Sequence, residues 1–118
     1  MVLVVDDNQD AADALAQLLR LSGHEVETAY NGMCALARVR ACHPDIVLCD
    51  LGLPELSGYD FARIVRRELP APIRLVAISG YAQPEDIRRS LEAGFDAHIV
   101  KPASADKIMR ALYGKEEQ

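Results

Sequence analysis

The 118-residue sequence contains no tryptophan, only two phenylalanines and four tyrosines, and no long uninterrupted apolar run. A membrane-spanning helix needs roughly 18 or more consecutive apolar residues, and no segment of the sequence reaches that length. The N-terminus also lacks the basic and apolar leader that is typical of a signal peptide. We therefore expect a cytoplasmic domain that makes no membrane contact by itself.

Positive charge is scarce as well. The chain has 13 Lys and Arg against 18 Asp and Glu, which gives a formal net charge of −5. Its largest basic clusters are the pairs Arg66-Arg67 and Arg88-Arg89. Nucleic-acid surfaces concentrate positive charge on one face or along one helix. We therefore do not expect the chain to bind nucleic acid by itself.

The few cysteines, Cys34, Cys42 and Cys49, include no Cys-x-x-Cys pair. Cys34 and Cys42 would lie about 12 Å apart along one helix at 1.5 Å per residue, which is too far for a disulfide. Unpaired cysteines are typical of a reducing compartment. We expect all three to be small buried side chains.

Short apolar runs recur along the chain and predict five strands. Four runs are nearly continuous in apolar character, as expected for parallel strands that are covered on both faces. The second alternates between apolar and polar residues, which suits the edge of a sheet. The five predicted strands are residues 2–5, 26–29, 46–49, 75–78 and 97–100.

Helical periodicity separates the strands. The first helix is predicted to end at Ser22-Gly23 and the second at His43-Pro44, because a residue before proline avoids the helical conformation. In the fourth helix, Ile87 and Leu91 are predicted to face inward, and Gly94 is predicted to end the helix. Five strand–helix units predict one doubly wound α/β domain over residues 1–114, followed by a polar tail at 115–118.

Five chemically functional side chains stand at or just beyond the predicted strand ends. In a doubly wound sheet the functional crevice lies at the carboxyl ends of the strands. Each residue has an ordinary alternative role, as a helix cap, a turn residue or a solvated charge. Their joint placement at one sheet edge instead favours a site made of Asp6, Asp7, Asp50, Ser79 and Lys101.

The chemistry of that set indicates phosphoryl transfer. Three close carboxylates repel one another unless a cation intervenes, and Mg²⁺, or Mn²⁺ in its place, prefers such oxygen ligands. Lys101 would neutralise part of the remaining charge. Asp50 then becomes a candidate nucleophile that forms an aspartyl phosphate, and Ser79 a hydrogen-bond donor to the phosphate.

Four motifs carry a family resemblance. The segments VLVVDDN (2–8), VLCDLGLPELSG (47–58), AISG (77–80) and IVKP (99–102) resemble receiver domains of two-component response regulators. The resemblance runs from Val2 to about Tyr113. It implies the flavodoxin-like strand order 2-1-3-4-5. It also implies a bacterial signalling module that receives phosphate from a histidine kinase or a histidine phosphotransfer protein.

The resemblance assigns roles around the phosphoacceptor. Asp50 corresponds to the phosphorylated aspartate, and Asp7 to the residue that binds Mg²⁺ directly. Asp6 corresponds to its partner, which acts through a metal-bound water. Gly52 stands where the family offers a backbone carbonyl to the metal.

The resemblance also assigns the switching residues. Ser79 matches the hydroxyl residue that follows the phosphoryl group, and Lys101 the lysine that contacts it. Pro102 corresponds to a proline that follows a cis peptide bond. Phosphorylation is expected to alter the surface formed by the fourth helix, fifth strand and fifth helix, where an output partner would bind.

The sequence departs from the family at two positions of the expected switch. His98 stands three residues before the lysine, where the family commonly has Tyr or Phe, and a histidine can titrate near neutral pH. Tyr81 places a large ring near the mouth of the crevice, where it either limits water access or packs over the fourth helix. Residues 79–102 are most similar to receivers attached to hybrid histidine kinases, so both a stand-alone regulator and a hybrid kinase are open.

Three other functions compete with that of a receiver. A haloacid-dehalogenase-type phosphotransferase also combines Asp, Ser/Thr, Lys and Mg²⁺, but it carries a DxD pattern on its first strand and a cap segment. An FMN carrier needs a Ser/Thr/Gly-rich phosphate loop where this chain has DDNQD. A pseudo-receiver that binds partners without phosphorylation would not need the five residues. A receiver catalyses only its own phosphorylation and dephosphorylation, so we expect no enzyme with an external product.

Overall fold

Strands and helices alternate along the chain in the computed structural model, which describes residues 1–69, 72–80 and 83–113. The strands are β1 (Val2–Val5), β2 (Val26–Ala29), β3 (Ile46–Asp50), β4 (Arg74–Ser79) and β5 (Ala97–Val100). The helices are α1 (Gln9–Leu21), α2 (Gly32–Cys42), α3 (Gly58–Glu68), α4 (Pro84–Ala93) and α5 (Ala105–Leu112). Among these described helices, none combines the length and apolarity needed to cross a bilayer.

The five strands form one parallel sheet of order β2-β1-β3-β4-β5, which confirms the expected fold class. The alternating strand β2 lies at an edge, as its pattern predicts. Two strands run one residue further toward their carboxyl ends than predicted. As a result Asp50 and Ser79 are the last residues of β3 and β4, not the first residues of loops.

Both faces of the sheet are covered by helices. Successive strand residues point to opposite faces, so Leu3 and Val5 pack on the side of α2 and α3, while Val2 and Val4 pack on the side of α1 and α5. All four residues are buried. The apolar character of β1 is continuous because neither of its faces meets water.

Side-chain caps mark where several helices begin. Asn8 caps α1 by accepting a hydrogen bond from the backbone N–H of Ala11. The helix therefore does not need Asp6 or Asp7 as its N-cap, and the alternative role of these two residues as helix caps is excluded. At the other end of α2, His43 adopts the left-handed conformation (φ 46°) before Pro44, so the helix ends where the proline predicted.

Two predictions about burial are wrong. Cys34 and Cys42 are exposed and only Cys49 is buried, because α2 buries Ala35, Leu36 and Val39 instead. Leu91 does not face inward and is 50% exposed. The small residues Ser90 and Ala93 form the buried face of α4, and Leu91 is turned about 100° away from Ser90.

Arg66 ties α3 to the far end of the sheet. Its guanidinium donates hydrogen bonds to the carbonyl oxygens of Ile73 and Gly94, at 2.6 and 2.9 Å, and to Asp96 Oδ2 at 2.7 Å. Asp96 Oδ2 also accepts a hydrogen bond from the backbone N–H of Leu75 at 2.9 Å. These bonds fix the amino-terminal ends of β4 and β5, opposite the edge where the functional side chains stand.

Gly58 brings the start of α3 against the backbone that carries Asp50. A Cβ atom on Gly58 would lie 2.9 Å from the Asp50 carbonyl oxygen and 2.9 Å from Leu51 Cα. Both are backbone atoms and cannot move aside without shifting the end of β3. The close approach therefore requires a residue without a side chain.

We predict that Gly58→Ala lowers the free energy of unfolding by about 1–3 kcal/mol, the usual cost of overpacking. Urea unfolding measures the change. Gly80→Ala is the matched control, because a Cβ there meets nothing within 4 Å. Equal stability of the two variants would show that α3 does not press on the β3 backbone.

Candidate functional site

Three carboxylates meet at the carboxyl edge of the sheet. Asp6 and Asp7 directly follow β1, and Asp50 ends the neighbouring strand β3. One carboxylate oxygen from each of the three lies within 4.8 Å of the others. Asp7 is exposed, Asp6 is half-buried, and the Asp50 side chain is only 13% exposed. The structure thus brings together the three carboxylates that the sequence placed at the strand ends.

Both carboxylate oxygens of Asp50 accept a hydrogen bond. Oδ1 accepts a hydrogen bond from the backbone N–H of Gly52 at 2.8 Å, and Oδ2 accepts one from Lys101 Nζ at 3.0 Å. Lys101 follows β5, so its side chain reaches past the end of β4 to β3. The peptide bond between Lys101 and Pro102 is cis, as the family resemblance implies.

Burial and the local charges shift the pKa values of two residues. Burial raises the pKa of Asp6, and the charge of Asp50 raises it further, against the hydrogen bond from Asn8 and the charge of Lys101. Burial alone would lower the pKa of Lys101, but its hydrogen bond to Asp50 and the surrounding carboxylates raise it overall. Lys101 is therefore held as a cation, and the carboxylate cluster keeps an excess of negative charge.

The donor set fits a hard divalent cation. Its side-chain ligands are all carboxylate oxygens, which Mg²⁺ prefers over nitrogen or sulfur ligands. Asp6, Asp7 and Asp50 are close enough to share one ion. Such an ion would also relieve the repulsion that raises the pKa of Asp6.

Cys49 lies beside this cluster and takes no part in its chemistry. The residue is buried, and burial together with the nearby carboxylates raises the pKa of its thiol strongly. The thiolate is the nucleophilic and metal-binding form of cysteine. Cys49 therefore stays a neutral, apolar core residue.

Ser79 is buried at the end of β4, between the strand ends that carry Asp50 and Lys101. Its hydroxyl lies 2.9 Å from Nε2 of His98, on the neighbouring strand β5. His98 is half-buried, so it is more than an exposed strand residue. The other predicted switch residue, Tyr81, lies outside the described residues.

Ser90 was missed by the sequence reasoning. It lies fully buried on α4, and its Oγ is 3.0 Å from Nδ1 of His98. The signal that could have found it is a serine at an inward position of an otherwise amphipathic helix. A buried hydroxyl requires a hydrogen-bond partner, and the polar residue on the adjacent strand is His98.

We predict that Asp6→Asn raises the free energy of unfolding of the metal-free domain at neutral pH, by no more than about 1 kcal/mol because solvent screens a half-exposed carboxylate. A carboxyl group whose pKa is raised by folding stabilises the fold when it is protonated. Its contribution is fully present below the ordinary value of 3.8 and is lost as the pH rises through the raised pKa.

The advantage of Asp6→Asn over the parent should therefore shrink as the pH falls through that window. Mg²⁺ should reverse its sign, because the variant loses a ligand. Asp10→Asn, which removes an exposed charge in the first turn of α1, is the charge-matched control. Urea unfolding at several pH values with EDTA or Mg²⁺ measures the difference. A stability difference between Asp6→Asn and the parent that changes neither with pH nor with Mg²⁺ would contradict the assigned electrostatics.

Comparison with known proteins agrees with this geometry. Residues 2–113 match the family model "Response regulator receiver domain". The chain is 36% identical over 112 residues to the transcriptional regulatory protein KdpE of Mycobacterium tuberculosis, which covers 95% of this chain and 49% of KdpE. The chain thus spans about half the length of that curated relative.

Solved structures share the fold. A CheY-like response regulator receiver domain protein from Methanospirillum hungatei superposes with a TM-score of 0.88 at 30% identity, covering 97% of this chain and 90% of that one. A second structure is a response regulator from Burkholderia pseudomallei with a phosphorylated aspartic acid, a calcium ion and citrate. It superposes with a TM-score of 0.86 at 31% identity, covering 94% of this chain and 65% of that one.

Receiver domains bind Mg²⁺ at an acidic pocket, and they are signalling modules rather than enzymes with an external product. The acidic cluster at the sheet edge, the fold and the matched residues all agree on one assignment. The chain belongs to the response regulator receiver domain family.

Proposed function

We propose that this domain accepts a phosphoryl group on Asp50 from a phosphohistidine of a histidine kinase or a histidine phosphotransfer protein. The observation that carries the proposal is the position of Asp50. Its carboxylate is shared between the acidic cluster on one side and Lys101 on the other. The phosphorylated aspartic acid in the Burkholderia pseudomallei relative supports the same chemistry.

The transfer is a displacement at phosphorus. A carboxylate oxygen of Asp50 forms the new O–P bond as the P–N bond to the donor imidazole breaks, and the electron pair returns to that nitrogen. The Gly52 N–H orients Oδ1, and Lys101 at Oδ2 is placed to donate to a phosphoryl oxygen. Catalysis of this kind is mainly positioning and charge neutralisation.

Asp6, Asp7 and Asp50, with the backbone carbonyl of Gly52, are the proposed Mg²⁺ ligands, and Asp6 acts through a water. When bound, the ion supplies positive charge to the phosphoryl oxygens. Lys101 supplies the second positive charge on the opposite side of Asp50. Hydrolysis of the acyl phosphate by water returns the free carboxylate, so the domain acts on itself alone.

We predict that Asp50→Asn abolishes phosphorylation by acetyl phosphate with Mg²⁺, because an amide cannot form the acyl phosphate. Intact-mass spectrometry shows a phosphoryl adduct on the parent and none on the variant. Asp10→Asn should keep the adduct. An adduct of the same yield on Asp50→Asn would place the phosphate elsewhere, and a parent that never gains an adduct would make the domain a pseudo-receiver.

The phosphodonor is proposed to bind beside α1. The exposed side chains of this helix include Gln9, Asp13 and Gln17. A groove of about 410 Å³ runs from the apolar side of α1, at Leu15 and Leu18, to Asp6 and Lys101. A helix of the donor could lie in this groove and bring its phosphohistidine to Asp50.

The output surface is proposed to be the face formed by α4, β5 and α5. Ser79 ends the strand next to β5 and is joined to that face through His98. His98 also lines a cavity of about 310 Å³ with Lys107 and Arg110 of α5. Movement of Ser79 toward a phosphoryl oxygen would disturb this contact and shift the domain between two packings.

We predict that Mg²⁺ with beryllofluoride, a phosphoryl mimic, changes the backbone chemical shifts of residues 83–113, whereas Mg²⁺ alone mainly affects residues 6–7 and 50–52. Two-dimensional NMR of the labelled domain measures both steps. Ser79→Ala should bind the mimic yet lose most of the change in 83–113. An unchanged spectrum in that segment for the parent would contradict the proposed switch surface.

We further propose a cytoplasmic location, a receiver unit over residues 1–114, and attachment to a hybrid histidine kinase as one context beside a stand-alone regulator. The hybrid context is suggested by the sequence resemblance of residues 79–102 to hybrid-kinase receivers, and the stand-alone context by the match to a transcriptional regulatory protein. The coding sequence on both sides of the corresponding gene segment tests the context. A kinase core upstream would establish the hybrid, and a DNA-binding domain downstream would exclude it.

A further inference from the structure

Ser90 has no role in the proposed phosphoryl transfer, yet it is a polar residue with no exposed surface. Its hydroxyl makes two contacts. Oγ lies 2.7 Å from the backbone carbonyl oxygen of Ile87 and 3.0 Å from Nδ1 of His98. A carbonyl oxygen only accepts hydrogen bonds, so the single hydroxyl proton of Ser90 is donated to Ile87.

The proton positions of His98 follow from that contact. Because the Ser90 proton is used, Ser90 Oγ can only accept from His98, and Nδ1 must carry a hydrogen. A neutral imidazole has one N–H and one acceptor nitrogen, and the hydrogen bond at one nitrogen sets the state of the other. Nε2 of the neutral ring is therefore the acceptor.

The Ser79 hydroxyl is the group that Nε2 meets, at 2.9 Å. When Nε2 accepts, Ser79 must be the donor, so its one proton points to His98. That same proton is the one that a phosphoryl oxygen on Asp50 would need from Ser79. The two acceptors, His98 Nε2 and the phosphoryl oxygen, therefore compete for one hydroxyl proton.

We propose that Ser90 is a positioning residue that selects the Nδ1–H tautomer of His98 and thereby directs the Ser79 proton to His98 in the unphosphorylated domain. The effect of Ser90 on phosphoryl binding rests on the proposed function, whereas the proton assignment of His98 does not. Ser90 thus links α4 to Ser79 through the His98 ring. Ser90 itself never touches the phosphoryl group.

Removing the Ser90 hydroxyl releases this constraint. In Ser90→Ala the acceptor that Ser90 Oγ offers to Nδ1 is removed, so the neutral ring can move its proton to Nε2 and donate it to Ser79 Oγ. The Ser79 proton is then no longer donated to His98, which removes that competitor of the phosphoryl oxygen. We expect Ser90→Ala to bind beryllofluoride about threefold to tenfold more tightly, the range that corresponds to one net hydrogen bond.

The first test is the tautomer itself. Long-range ¹H–¹⁵N NMR of the imidazole nitrogens, on the full chain at alkaline pH where an ordinary histidine is neutral, reports which nitrogen carries the hydrogen. The parent should show His98 protonated at Nδ1, and Ser90→Ala should show a large Nε2–H population. Ser22→Ala is the matched control, because Ser22 also donates to a carbonyl of its own helix, that of Leu18, far from His98.

The second test uses NMR to measure the beryllofluoride concentration that half-saturates the domain in the presence of Mg²⁺. Ser90→Ala and His98→Phe should both lower it, and the double variant should match His98→Phe, since Ser90 acts only through His98. Ser22→Ala should leave it unchanged. A serine with a merely structural role would alter the melting temperature but neither the tautomer nor this midpoint.

Three results overturn the proposal: Nε2–H in the parent, an unchanged tautomer in Ser90→Ala, or a midpoint in Ser90→Ala equal to that of Ser22→Ala. Failure of the proposed function looks different. A parent that binds no beryllofluoride and gains no phosphoryl adduct, yet shows Nδ1–H that is lost in Ser90→Ala, keeps the proton assignment and removes only its link to phosphorylation.

Discussion

The ion pair between Lys101 Nζ and Asp50 Oδ2 closes the site across three strands. Asp50 ends β3 and Lys101 follows β5, so the 3.0 Å contact passes over the end of β4, where Ser79 lies. Without a cation here, a carboxylate that is 13% exposed would face the negative charges of Asp6 and Asp7 alone. The pair supplies the opposite charge that a carboxylate requires in a largely dry position.

The parallel sheet makes this convergence a matter of topology. Every strand ends at the same edge, so one residue per strand is enough to assemble a site from positions far apart in sequence. The opposite edge is held by Arg66, whose guanidinium binds Ile73, Gly94 and Asp96. Rigid strands with a fixed register and a charged cluster at one end suit a reaction in which placement contributes more than proton transfer.

The fold and the clustering of the candidate site residues were predictable from the sequence because they follow simple patterns. Strands buried on both faces appear as continuous apolar runs, and the functional residues directly follow those runs. The wrong predictions concern which way a helix turns. Leu91 was expected inside, but α4 approaches the sheet through Ser90 and Ala93, whose small side chains permit close packing.

The Ser90–His98–Ser79 chain could not be predicted for the same reason. Its members come from α4, β5 and β4. The hydrogen bond between Ser90 and His98 depends on the rotation of α4 about its axis. Sequence indicated only that a polar histidine stood where the family commonly has an aromatic ring. The structure adds the acceptor for Nδ1, and from it the direction of the hydrogen bond to Ser79.

A structure of the domain with Mg²⁺ and beryllofluoride would show whether Asp50 is the phosphoacceptor. We expect beryllofluoride bonded to a carboxylate oxygen of Asp50, a metal ion held by the acidic cluster, and Lys101 and Ser79 both donating to the fluorides. A structure from saturated crystals in which the ions lie away from Asp50, or in which Lys101 points elsewhere, would contradict it.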